Sequence, residues 1–154
     1  RLGADRLQLY GRDPYEASRI DSFLDASLVF GRDTQPYLLA LRGDDLSADL
    51  HARAAEGFAV YLAGIEQALH SDRRYLVGDV VSLADICFVA EFCLFSNERL
   101  RRVALQKRGL SPVLADGWRE AFPRASAHLV RLCDHPAFVP DVRPYLQKLE
   151  ALAA

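Results

Sequence analysis

The side chains in these 154 residues that could carry chemistry are four histidines, three cysteines and the acids. His51, His70, His128 and His135 have no spacing, relative to one another or to cysteine, that would hold a metal. His128 falls on a helix flank, where a histidine with its hydrogen bonds satisfied is expected rather than a base. Cys87 and Cys93 lie six apart in one apolar run, so they do not share a helical face, and neither has a neighbouring cation that would favour a thiolate. With Cys133 they make an odd count, which reads as reduced core cysteine rather than a disulfide framework. Asp44-Asp45 is an adjacent pair in a loop and is expected to be solvated. A glycine-rich phosphate loop needs a strand before it, and no segment alternates at period two for long enough to be one. No catalytic constellation is therefore expected within the chain, and no metal.

The elements are clearer than the chemistry. Tyr75 to Phe95, YLVGDVVSLADICFVAEFCLF, reads as a tight turn at Gly78-Asp79 followed by a helix. Ser82 is placed as N-cap and Asp85 three residues on, a capping box with Asp in place of Glu, with Val81 and Ile86 at the staple positions. Beyond the cap the helix is apolar all round, the pattern of a buried helix, and it is too short for the ~20 residues that cross a membrane. It is expected to be the central core helix, with Ser82 and Asp85 as its structural cap.

Around it, Asp13-Pro14-Tyr15-Glu16 starts a helix with Ile20, Phe23, Leu24 and Leu28 at helical spacing. Gly31 to Pro36 is expected to interrupt or kink it before Tyr37-Leu38-Leu39. From Ser47, the positions Leu50, Ala54, Phe58, Tyr61, Leu62, Ile65 and Leu69 form one long apolar stripe. Gly57 and Gly64, seven apart on that helix, predict a close approach by another backbone, either within the domain or from a second subunit. Pro123 opens a helix with Ala125, Leu129, Leu132 and Cys133 inward, and Pro144 opens a last one with Tyr145, Leu149 and Leu152 inward. Before Pro123, Ala115 to Ala121 can make a short helix carrying Trp118. Arg99, Arg101, Arg102, Lys107 and Arg108 face a single Glu98, which fits either a solvated loop or frayed helix end, or a basic mouth to a pocket.

At 51% apolar and 26% charged the composition is globular, and the length is that of one domain. A net charge of −2 gives no case for nucleic acid or an anionic membrane as partner. Arg1 to Arg12 is expected to be a linker from an upstream domain, with residues 13–154 forming one helical domain. No targeting or membrane-spanning segment is read in the chain.

G-D-x-x-S-L-A-D-I after Y-L-V resembles the motif that opens the sixth helix of the glutathione S-transferase C-terminal domain. LQLYGRDPYEASRIDSFLD resembles the approach to that family's fourth helix and its first half, and EAFPRASAHLVRLCDHPAFVPDV its seventh helix and the short helix after it. The three stretches occur in the family's order. The fold so implied is all-α, a glutathione S-transferase C-terminal-like helical bundle around a buried central helix.

In such proteins the thiol-activating residue and most glutathione contacts belong to an upstream thioredoxin-like domain, which is not in these residues. The resemblance thus implies a cytoplasmic detoxifying transferase with glutathione as co-substrate when the two halves are joined, and no activity for this chain alone. It implies a wall for a small apolar electrophile, here Phe30, Arg32, Tyr37, Phe95 and Glu98, and a homodimer face on the fourth and fifth helices. Phe30 and Tyr37 have an equally simple reading as core. Some classes carry an acid, one turn beyond the position matched here by Asp25, that meets glutathione across the dimer. Val29 stands there, so that contact is missing or falls to Asp25 or Asp33. Similar L-V-G-x-x-x-S/T-L-A-D and A-F-P segments in elongation factor 1B gamma imply an alternative, a protein-docking module without activity. A carrier of apolar ligands is a third.

Overall fold

A computed structural model describes residues 9–43, 46–70 and 73–153, and in these residues the fold is all-α with no strand. The helices are α1 (Pro14–Ala40), α2 (Ala48–Ala68), α3 (Leu83–Phe95), a 3-10 helix (Ser96–Arg101), α4 (Arg102–Lys107), α5 (Trp118–Ala121), α6 (Pro123–Cys133) and α7 (Val142–Ala153). Asp44, Asp45, Ser71 and most of the expected linker lie outside the described residues.

Local chemistry sets the helix starts. Asp13 caps α1 by accepting from the Glu16 N–H at 2.8 Å, with Pro14 at the first position. The Ser47 hydroxyl accepts from Leu50 N at 3.2 Å to cap α2. Gly78 turns the chain into α3 at φ +66°, a backbone that glycine takes without strain.

α1 is not interrupted at Gly31 to Pro36. It runs unbroken through Gly31 and Pro36 to Ala40. An interior proline costs about 3 kcal/mol, but the packing on either side of it holds the helix together. Phe30, Gly31, Thr34 and Tyr37 are all buried, and the Thr34 hydroxyl donates to the Phe30 carbonyl at 2.7 Å. Gly31 itself sits where α1 passes α3, with the Glu91 carboxylate 3.7 Å from where a Cβ would stand.

The core is an aromatic cluster between α1, α2 and α3. Phe30 stacks on Tyr61 at 4.5 Å and meets Phe95 edge-on at 5.5 Å, while Phe58 stacks on Phe95 at 5.1 Å. The predicted α2 stripe is buried at Ala54, Phe58, Tyr61, Leu62 and Ile65. α3 packs chiefly on α1, with α6 and α7 at its other sides. It is not enclosed all round, however. Ile86, Cys87 and Cys93 are half-buried, and Ala90 and Leu94 are exposed. Of the predicted inner face of α7 only Leu149 is buried, since Leu152 is 63% exposed and Tyr145 turns its hydroxyl to Asn97 at 2.6 Å.

Among the described residues no helix is long and apolar enough to cross a membrane.

Candidate functional site

Four of the five residues expected to wall a pocket lie in the core. Phe30, Tyr37, Phe95 and Glu98 are each at most 3% exposed, so none offers a surface to a ligand. Arg32 is exposed and is held by the neighbouring Asp33 at 3.1 Å. The structure brings Phe30, Tyr37, Phe95 and Glu98 together as packing and leaves Arg32 on the outside.

Glu98 has a specific structural task. The Tyr37 hydroxyl donates to its Oε1, and so does Val113 N at 2.8 Å, while Leu114 N donates to Oε2 at 2.7 Å. A buried carboxylate without a cation beside it is tolerable when its oxygens are fully hydrogen-bonded. Here it ties the loop after α4 to the end of α3 and to α1. In return, burial first and Glu98 second push the Tyr37 phenol pKa well above its ordinary value.

Asp85 plays the same part at the other end of α3. The capping box is closed: Asp85 Oδ2 accepts from Ser82 N and from the Ser82 hydroxyl, both at 2.9 Å. Its other oxygen accepts from Leu76 N at 3.1 Å and meets His128 Nε2 at 2.9 Å. Asp85 and His128 are both fully buried, and His128 stacks on Phe88 at 5.7 Å. His128 is thus the satisfied structural histidine that its place on α6 suggested.

The surface beside the expected wall residues carries a depression. Leu38, Leu39, Leu94 and Leu100 floor a trough of about 290 Å³, with Gln35 and Asn97 at its edge and Arg42 and Arg101 at one end. Successive helix positions are turned by ~100°. Leu38 next to inward Tyr37, and Leu94 next to inward Phe95, therefore point out. The residues named from the sequence thus face the core, and their neighbours on the same turns line the depression. The signal that separates them is the aromatic cluster, which claims the larger rings for the core.

The basic stretch is ordered as the 3-10 helix and α4 rather than frayed. Arg99 reaches Glu150 at 3.5 Å, Arg102 reaches Asp116 at 2.8 Å, and Arg108 donates to the Gly43 carbonyl at 3.0 Å. Arg101 and Lys107 are exposed on the same side as Arg108, around a second groove that adjoins the trough.

Two other grooves differ in character. One, of about 460 Å³, runs between α1 and α2 and includes Val29, Val60, Gly57 and Gly64. A Cβ on Gly57 would come within 3.0 Å of the Asp33 Cβ, so this glycine serves packing inside the domain. Gly64 faces open space. Asp33 is held by Arg53 at 2.8 Å as well as by Arg32, which keeps its carboxyl pKa below the usual range. The other groove, about 440 Å³, lies along the uncovered side of α3 between Ile86, Ala90 and Phe138.

The three thiols are free. Burial pushes Cys87 and Cys133 up and takes Cys93 to about 11, the reverse of what a nucleophile needs. Among the described residues no group of His, Cys, Asp or Glu could hold a metal ion.

The family model of the glutathione S-transferase C-terminal domain matches residues 33–136. No curated protein sequence matches the chain. Among solved structures, NaGST-2 superposes with a TM-score of 0.62 at 22% identity, over 88% of this chain and 60% of its own. Monomeric Na-GST-3, a glutathione S-transferase of the human hookworm Necator americanus, gives 0.63 at 21% identity, over 94% and 64%. The chain thus spans less than two thirds of either neighbour, and at these identities the likeness is one of fold. The family match covers most of the helical bundle, from the second half of α1 to the end of α6, and with it the chain belongs to the glutathione S-transferase C-terminal domain family.

Proposed function

We propose that this chain is the helical half of a glutathione transferase-like protein, and that the trough beside Leu38 and Leu94 is its wall for an apolar co-substrate. The observation that carries this is the trough itself. Exposed Leu39, Leu94 and Leu100 and half-buried Leu38, from α1, α3 and the 3-10 helix, gather at one spot, and an apolar patch rimmed by polar groups marks a ligand or partner surface. On this reading thiol activation belongs to an upstream domain, as the family resemblance implies. Glutathione would bind mainly there, and the α1–α2 groove with exposed Val29 and Val60 would serve a homodimer.

Titration of an apolar aromatic electrophile against the chain tests the wall. Leu94→Asp should weaken binding about tenfold, the scale of a lost apolar pocket contact. Unchanged affinity would move the site elsewhere.

A second reading has its own observation. The uncovered side of α3, with Ile86, Ala90 and Phe138, is almost wholly apolar, and such a face favours docking of another folded unit. On that reading Ala90→Asp abolishes the association and leaves ligand binding intact.

A further inference from the structure

We infer that His128 and Arg131 form an acid-released latch on the loop before α3. The uncharged His128 ring accepts from Arg131, which in turn holds the Arg74 carbonyl. Protonation of the ring displaces the arginine and frees the loop.

Donors and acceptors fix the state of the ring. The Asp85 carboxylate collects Leu76 N, Ser82 N and the Ser82 hydroxyl, so it faces His128 as an acceptor. His128 Nε2, at 2.9 Å from Asp85 Oδ1, therefore carries a hydrogen. On the other side of the ring, Nδ1 lies 3.4 Å from Arg131 Nη1. A guanidinium only donates, so Nδ1 offers its lone pair and the ring is neutral. The same Arg131 nitrogen donates to the Arg74 carbonyl at 2.7 Å. Its two hydrogens thus serve the ring and the loop.

Histidine is the side chain whose charge changes closest to neutral pH. A proton added at Nδ1 would point at a guanidinium N–H, and two like charges would stand 3.4 Å apart beside a ring that is fully buried. Asp85 lies on the far side of the ring and stabilises the imidazolium rather than the arginine. Arg131 is only half-buried, so it is the partner that can leave for water. The other charges that face this end of α6 among the described residues are engaged elsewhere. The Arg74 guanidinium lies over Tyr75 at 5.6 Å, and Glu66 of α2 takes Arg124 and Ala125 N. Once Arg131 leaves, the Arg74 carbonyl loses its donor. Arg74, Leu76 and Val77 form one wall of a groove of about 550 Å³, with Asp13 and Arg19 of α1 opposite, so the latch controls the width of that groove. Tyr75, Leu76 and Val77 are buried while it is shut, and its release uncovers them.

Imidazole nitrogen shifts and amide hydrogen exchange, both followed by magnetic resonance on the full chain, test this together. At neutral pH His128 should carry its hydrogen on Nε2 alone, and the opposite tautomer or a charged ring would overturn the latch. As pH falls, protonation at Nδ1 should cut the protection of the Leu76 amide, corrected for the intrinsic exchange rate, by about tenfold, the scale of one lost hydrogen bond. The Leu62 amide in α2 should keep its protection. Loss at both amides together, or no loss at Leu76 once the ring is charged, would contradict the proposal, as would a ring that stays neutral until the chain unfolds. Arg131→Met keeps the aliphatic stem and should leave Leu76 weakly protected at every pH, without the step. His128→Gln can still donate to Asp85 and should also abolish the step. If that buried variant does not fold, Arg131→Met decides alone. A step that survives in either variant would overturn the latch.

Discussion

At the residue scale, two buried carboxylates hold the bundle together. Asp85 takes two backbone N–H groups, a hydroxyl and a histidine at the start of α3, and Glu98 takes two backbone N–H groups and a phenol just past its end. Removing such a partner strands the others in the core. Asp85→Ala should cost about 3–5 kcal/mol, the scale for breaking a buried charged network, and chemical denaturation reads it as a lower midpoint. Tyr37→Phe should cost less, about 1–3 kcal/mol, and should leave ligand affinity unchanged because Tyr37 is core and not wall. Glu91 gives a pH test. Burial alone raises its pKa above the ordinary 4.5, so the folded chain holds a proton that the unfolded chain has released. Its contribution is therefore present below 4.5 and is lost as pH climbs through the raised value. The stability difference between the parent and Glu91→Gln should change with pH in that window and be flat well above it. These residues also mark what a sequence can say. Ser82 and Asp85 were legible because a capping box is a local spacing. The partnership of Asp85 with His128 spans 43 residues and that of Tyr37 with Glu98 spans 61, and no local pattern announces either.

At the scale of elements, the helices were readable from their stripes and starts, and the errors came from tertiary packing. Gly31 and Pro36 read as an interruption or a kink, and α1 is not interrupted because its inward face is anchored on both sides of them. Pro36 is exposed and leaves one helix carbonyl without its donor. Pro36→Ala should therefore stabilise the chain by about 1–2 kcal/mol, after subtracting the entropy proline removes from the unfolded state. The two glycines of α2 should part company. Gly64→Ala enters open space and should gain up to about 1 kcal/mol of helix propensity. Gly57→Ala meets the Asp33 Cβ at 3.0 Å and should gain less or lose. Thermal melts of the two variants compare them directly, and a dimer that uses the α1–α2 groove would show as a weaker association for Gly64→Ala in sedimentation. α3 was read as enclosed because it lacks a polar face. Periodicity reports that a face is apolar, not whether anything in the same chain covers it, and here Ala90 and Leu94 stay exposed.

At the scale of the whole molecule, the fold separates the core from the proposed binding surface by face. The aromatic side of α1, α2 and α3 makes the core, and the leucines on the neighbouring turns make the trough. The proposed trough adjoins the turns around Tyr37 and Phe95 that the sequence singled out. Its residues were not, because a step of one position along a helix turns a side chain from core to surface. On the proposed reading the group that activates glutathione lies in an upstream domain, so the chain alone should give no glutathione conjugation above the buffer rate; its own thiols are pushed up by burial and offer no substitute.

The central claim is that apolar ligands bind at the trough. The most direct measurement is a map of backbone amide shifts on titrating an apolar aromatic electrophile into the labelled chain. The account predicts that the largest shifts fall around Leu38, Leu39, Leu94 and Leu100, with the α1–α2 groove unchanged. Shifts centred instead on Ile86, Ala90 and Phe138, or spread without a centre, would contradict it.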